Sequence, residues 1–187
     1  MKRSRLDFLL NSKNLKLKNI YYFYNIYVRN FKFLFDGSQF GESKKILKNF
    51  KTKYKLYFPT KNQLDILNTK KIEKYINKVR PKYLIHLAGL SRPMIIHEKN
   101  IEKSINLNII GTANVTKICK KKNIKLIYFS TNYVYPGSKG NYKETDSLLP
   151  VNNYAWSKLG GEASVQLYKN SLILRVCMTE KPFVHKK

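Results

Sequence analysis

Ser130-Thr131-Asn132-Tyr133-Val134-Tyr135-Pro136-Gly137, followed by Tyr154-Ala155-Trp156-Ser157-Lys158, is the stretch that decides the fold. Before it, the apolar run Ile124 to Phe129, with Lys125 inside it, predicts a strand that carries a pair of hydroxyls, Ser130 and Thr131, to its end. After it, a helical segment presents Tyr154 and Lys158 four residues apart, hence on one face. A phenol has a pKa near ~10, and a cation held close lowers it by roughly one to three units. Lys158 is therefore expected to tune Tyr154 as a proton donor or acceptor. Thr131, with Ser130 as the alternative, donates to a substrate oxygen and fixes a carbonyl beside the phenol, while a nicotinamide exchanges the hydride.

The pattern Ser-Thr-x-Tyr-Val-Tyr-x-Gly followed by Tyr-x-x-x-Lys resembles the extended short-chain dehydrogenases/reductases. The residues around it are most similar to the dTDP-4-dehydrorhamnose reductases and their sugar-nucleotide relatives. A lone Tyr-x-x-x-Lys carries little weight in a chain with 14 tyrosines. The similarity is wider, taking in Lys139-Gly140-Asn141-Tyr142-Lys143-Glu144, then Pro150, then Asn153 through Glu162. The resemblance implies reduction of a 4-keto nucleotide sugar by NADP or NAD, with Thr131, Tyr154 and Lys158 as the catalytic residues. An epimerase or dehydratase of the same superfamily uses the same three residues, so that alternative stays open. So does a non-catalytic Rossmann module that binds a nucleotide or a protein.

Outward from this stretch, strands and helices alternate. Strands are predicted at Phe31 to Phe35, Lys55 to Phe58, Tyr83 to Leu87, Ile124 to Phe129 and Ser171 to Cys177. Helices are predicted over Glu42 to Lys51, with Ile46, Leu47 and Phe50 on one side, and over Thr69 to Val79, capped by Asn68 and stopped before Pro81. A long helix follows over His97 to Lys121, with Ile101, Ile105, Ile109, Val115 and Ile118 turned inward, and another over Asn152 to Tyr168. Crossovers of this length suit parallel pairing, so the fold class is α/β: a doubly wound, Rossmann-type parallel sheet with helices on both faces. Residues 1–30 read as a basic and aromatic extension, and 31–187 as the NAD(P)-binding domain. The resemblance covers Phe31 to Met178. Family members continue well beyond that point, so the substrate domain that closes over the sugar nucleotide is expected to be largely missing. Met178 stands where relatives commonly carry an aromatic residue facing the sugar.

In such a sheet the cofactor lies beyond the carboxyl ends of the strands, where the strand order reverses, with phosphates on the first turn. That turn is Gly37-Ser38-Gln39-Phe40-Gly41, with two glycines where the family has three, and Asp36 adds a negative charge beside it. Asp65 resembles the family's acceptor for the adenine amine, and Leu87-Ala88-Gly89 the small-residue turn along the cofactor. No acidic residue ends the second strand to hold a ribose 2′-hydroxyl, whereas Lys61 follows closely, which favours NADP over NAD.

The chain has 187 residues, enough for one sizeable core, with 37 Lys and Arg against 11 Asp and Glu, a net charge of +26. That field draws in anions of any kind, including a sugar nucleotide. The lysines are spread along the chain with no nucleic-acid motif, so the charge reads as coding bias and specific nucleic-acid binding is not expected. Cys119 and Cys177, and His86, His97 and His185, have neither paired nor metal-ligand spacing, so no metal is expected and a reducing, cytoplasmic compartment is. The histidines are expected to be structural or exposed. Ile20 to Val28 is too short to span a bilayer. The partners expected are a nucleotide-sugar substrate and, at most, a second copy in a homodimer.

Overall fold

The computed structural model describes residues 32–36 and 55–177. Five parallel strands stand in the order β2-β1-β3-β4-β5: β1 Lys32–Asp36, β2 Lys55–Tyr57, β3 Tyr83–His86, β4 Lys125–Thr131 and β5 Ser171–Val176. All four neighbouring pairs run parallel; Asp36 pairs with His86, and Thr131 with Val176. From β1 the order steps out to β2 and returns on the other side to β3, which puts the switch point between β1 and β3. Each strand edge falls within two residues of its predicted position. The expected turn Gly37 to Gly41, the helix Glu42 to Lys51, Met178 and His185 lie outside the described residues.

The crossovers are helical. Helix α1, Thr69–Val79, begins where the Asn68 side chain accepts from the Lys71 N–H, as its sequence predicts. Helix α2, Ile95–Lys99, and helix α3, Ile101–Ser104, precede a π-helical turn, Ile105–Ile110, that runs into α4, Gly111–Lys121. Helix α5, Asn153–Gln166, starts at Asn152, whose side chain accepts from the Ala155 N–H.

Strand alternation divides the sheet's side chains. Leu84, Leu126 and Tyr128 join Ile72, Ile76, Val115, Ile118 and Val165 in the main core, so α1, α4 and α5 cover one face. Ile85 and Ile127 point to the other, among Leu56, Phe129 and Leu172. Both faces of β3 and β4 are apolar, as expected of a parallel sheet layered on both sides.

The single long helix expected over His97 to Lys121 is corrected in two ways. Asn100, at φ −140°, breaks it, and the Asn100 side chain restarts it by accepting from the Lys103 N–H. The π turn then widens the helix. Its result is that Asn108 is 1% exposed while Ile101 and Ile105, expected inside, are 55% and 41% exposed. A strict 3.6-residue count continued from α4 puts the wrong residues in the core.

Candidate functional site

The site forms where β4 ends beneath the first turn of α5. Parallel pairing carries Thr131 to the carboxyl edge of the sheet, where its side chain accepts from the Tyr133 N–H at 3.2 Å and closes a short 3₁₀ turn, Asn132–Val134. The same hydroxyl acts on the phenol of Tyr154, favouring its ionised form. Ser130, the other candidate, is buried one residue earlier, its Oγ without a hydrogen-bond partner. Thr131, at the end of β4, and Tyr154, on α5, thus come together, as the sequence reading expects.

Tyr154 is half-buried and lines a pocket of about 230 Å³ with Met94, Ile95, Glu98 and Asn152. Burial pushes its phenol above the ordinary value of 10.0, and Tyr133 adds to the rise; the Thr131 hydroxyl and the Arg92 guanidinium pull it back. This corrects the expectation that Lys158 holds the phenol down. Lys158 is 8% exposed, and its Nζ lies 4.2 Å from the centre of the Tyr128 ring, where a buried ammonium gains a cation–π contact. The net direction on Tyr154 is upward, so the phenol keeps its proton through the neutral range.

Asn108 is the residue that sequence reasoning missed. Its Oδ1 accepts from the Leu90 N–H at 2.7 Å, and its Nδ2 donates to Leu90 O at 2.9 Å and to Ser157 Oγ at 2.8 Å. Ser157 in turn donates to Tyr154 O at 2.7 Å. One amide therefore ties the loop after β3 to the helix that carries Tyr154. The available signal was a pair of asparagines, Asn106 and Asn108, inside an apolar helical run; the buried one, Asn108, is tolerated there only with its hydrogen bonds made. Gly161 lets α5 lie this close, since a Cβ there would meet Tyr128 Oη at 2.6 Å and Asn108 O at 2.7 Å.

Leu87, Ala88 and Gly89 continue β3 past its last residue and are partly exposed beside the switch point. A Cβ on Gly89 would meet Asn108 Oδ1 at 2.7 Å, so this backbone passes close to the amide only because no side chain intervenes. Asp65 is partly buried, and its Oδ1 accepts from the Leu67 N–H at 3.0 Å, a turn just ahead of α1. Gly37, Ser38, Gln39, Phe40 and Gly41 lie outside the described residues.

Behind the site, Arg175 on β5 clamps α5. Its Nε and Nη2 donate to the Glu162 carboxylate at 2.7–3.1 Å, and its Nη1 to Tyr135 Oη at 2.8 Å. Burial opposes the charge, but the Glu162 carboxylate and the Tyr135 hydroxyl outweigh it and hold the guanidinium above its ordinary range. His86 and His97 are both buried; His86 Nε2 lies 3.0 Å from Thr112 Oγ1 and its ring stacks on Tyr128. Neither Cys119 nor Cys177 is in a disulfide. No helix of the described residues is long and apolar enough to cross a membrane.

A family model described as RmlD substrate binding domain matches residues 36–179. Methionine adenosyltransferase 2 subunit beta of Xenopus laevis is 32% identical over 114 residues, 60% of this chain and 34% of that protein. The dTDP-4-dehydrorhamnose reductase of Aggregatibacter actinomycetemcomitans is 29% identical over 145 residues, 76% of this chain and 49% of that protein. The solved structure of dTDP-4-dehydrorhamnose reductase from Bacillus anthracis, in complex with NADP, superposes with a TM-score of 0.71 at 26% identity, covering 78% of this chain and 53% of that one. The chain spans between 34% and 53% of the length of these three proteins. From the end of β1 through β5, the chain belongs to the RmlD substrate binding domain family.

Proposed function

We propose that this chain reduces the 4-keto group of a nucleotide sugar with NADPH or NADH. The observation that carries the reading is the meeting of Thr131, at the carboxyl end of β4, with Tyr154, which lines the pocket and whose phenol the Thr131 hydroxyl acts on. Thr131 holds the carbonyl oxygen. As that oxygen gains electron density it takes the phenolic proton, and Tyr154, which keeps its proton at neutral pH, is the donor. Lys158, four residues on along α5, orients the ribose beside it.

The residues present fit a dinucleotide. Ala88 and Gly89 bring small residues to the switch point, where the Gly89 backbone packs against Asn108 with no room for a Cβ. Leu87, Ala88 and Gly89 would lie along the cofactor, Asp65 would hold the adenine, and Gly37, Ser38, Gln39, Phe40 and Gly41 the phosphates. Bound there, a nicotinamide supplies the hydride. Lys61 favours a 2′-phosphate, hence NADPH. Two cysteines outside any disulfide suit a reducing cytoplasm.

The test is calorimetric binding of NADPH and NADH at physiological salt with a non-nucleotide polyanion as control, followed by turnover with 4-keto nucleotide sugars. Saturable binding that the polyanion does not mimic, with turnover lowered about 10²–10⁴-fold by Tyr154→Phe, is the expected result. Equal turnover in Tyr154→Phe overturns the assignment. A second reading draws on the similarity to a protein named as a subunit of methionine adenosyltransferase: a non-catalytic nucleotide-binding module docked on a partner enzyme. Cofactor binding without turnover of any keto-sugar nucleotide favours it.

A further inference from the structure

Tyr154 does not stand alone in its pocket. The edge of His97 meets its ring, centroids 5.1 Å apart at 60°, and Tyr133 meets it from β4's end at 6.4 Å and 85°. His97 is fully buried although it belongs to a five-residue helix beside the pocket. Its Nδ1 lies 2.6 Å from Ser104 Oγ on α3. The helix that carries it is pinned to the first turn of α5: Asn153 Nδ2 donates to Glu98 Oε2 at 2.5 Å and to His97 O at 3.5 Å, and the Asn153 N–H to Glu98 Oε1 at 3.4 Å. The imidazole is thus held by Ser104 and by the phenol ring, and its helix by the α2–α5 clasp.

The groups that face this imidazole are few. Tyr154 comes from α5, Ser104 from α3, the Ser91 backbone from the loop after β3, and Glu98 from its own helix; Arg92 acts on Tyr154. Burial pushes His97 below the ordinary histidine value of 6.5, while the Ser91 backbone and the Glu98 carboxylate draw it back up. At neutral pH the ring is uncharged, and an uncharged ring edge against the Tyr154 π-face is an attractive packing contact. Protonation places a charge in a buried site, which burial opposes, while the contact with the Tyr154 ring remains.

We propose that His97 is a positioning residue for Tyr154: as the neutral imidazole, braced by Ser104, it fixes the phenol ring at the pocket, and a change in its charge is felt at that ring. The role rests on the reading of Tyr154 as the proton donor, but its signature is independent of turnover. Tyr154 gains an acid-side dependence that no group on α5 supplies.

The experiment is carbon-13 NMR of the full chain labelled at the tyrosine rings, with the Tyr154 signal identified by its loss in Tyr154→Phe. The native signal is expected to move on the acid side of neutrality with a midpoint below the ordinary histidine value, and His97→Phe to abolish that movement. A Tyr154 signal that does not titrate, or one that titrates alike in His97→Phe, overturns the proposal. Ser104→Ala keeps both rings and serves if His97→Phe does not fold; a displaced midpoint supports the brace, and an unchanged titration overturns it. If turnover proves absent while the coupling is present, the proposed reduction fails and the positioning role stands. Turnover with no coupling gives the reverse.

Discussion

Asn108 and Ser157, from opposite sides of the site, are joined by a 2.8 Å hydrogen bond from Nδ2 to Oγ. Through it the π turn, the loop after β3 and the tyrosine helix become one rigid unit, because the same amide also spans both polar groups of the Leu90 backbone. The sheet positions Thr131; this amide positions Tyr154.

Asn108→Ala leaves the Leu90 N–H and C=O in a buried site without their partner. Each such orphan costs about 1–3 kcal/mol, so urea denaturation is expected to show a loss of at least that size. Turnover should fall further than stability alone explains, since α5 loses its tether to the loop after β3. An unfolding midpoint equal to the native one contradicts the account.

Glu162→Ala leaves the Arg175 guanidinium beside α5 without its carboxylate. The Glu162 side chain is 4% exposed and that of Arg175 20%, so the pair is largely but not wholly dry. Removing one partner of a buried pair costs roughly 3–5 kcal/mol, and the remaining solvent contact of Arg175 puts this one toward the lower figure. Glu162→Leu combined with Arg175→Met should recover part of the loss, because no charge is then stranded. A double variant less stable than Glu162→Ala refutes the pair as the cause.

The Tyr154 phenol should titrate above the ordinary 10.0, the direction that burial imposes. Thr131→Val removes the hydroxyl that lowers it, so the midpoint should climb further. Because the folded value exceeds the unfolded one, the associated stability is complete below about pH 10 and is lost as pH rises through the folded midpoint. Tyrosine carbon-13 shifts measured through the alkaline range decide it; a midpoint at or below 10 in the native chain goes against burial as the dominant influence.

Much of this was legible in the residues. The bounds of α1 follow from Asn68 and Pro81, and the placing of Tyr154 and Lys158 together on α5 from an i, i+4 spacing that any helix puts on one face. The alternation of strand and helix fixed a parallel α/β sheet, because parallel neighbours need long crossovers and β3 and β4 are apolar on both faces. These are local facts, set by periodicity and by backbone chemistry within a few residues.

What the tertiary structure decided lies in contacts between distant segments. No periodicity announces a π turn, so Asn108 inside, with Ile101 and Ile105 outside, follows only from the bonds Asn108 makes to Leu90 and Ser157. Spacing brought Lys158 to the face of Tyr154, yet its ammonium sits over Tyr128, a ring contributed by another strand. His97, unremarkable in sequence, acquires a neighbour in Tyr154 only when α2 folds against α5. The sequence determined which chemistry is present; burial and long-range packing determined the direction in which Tyr154 is tuned and which groups do it, because both depend on what lies around a side chain in space.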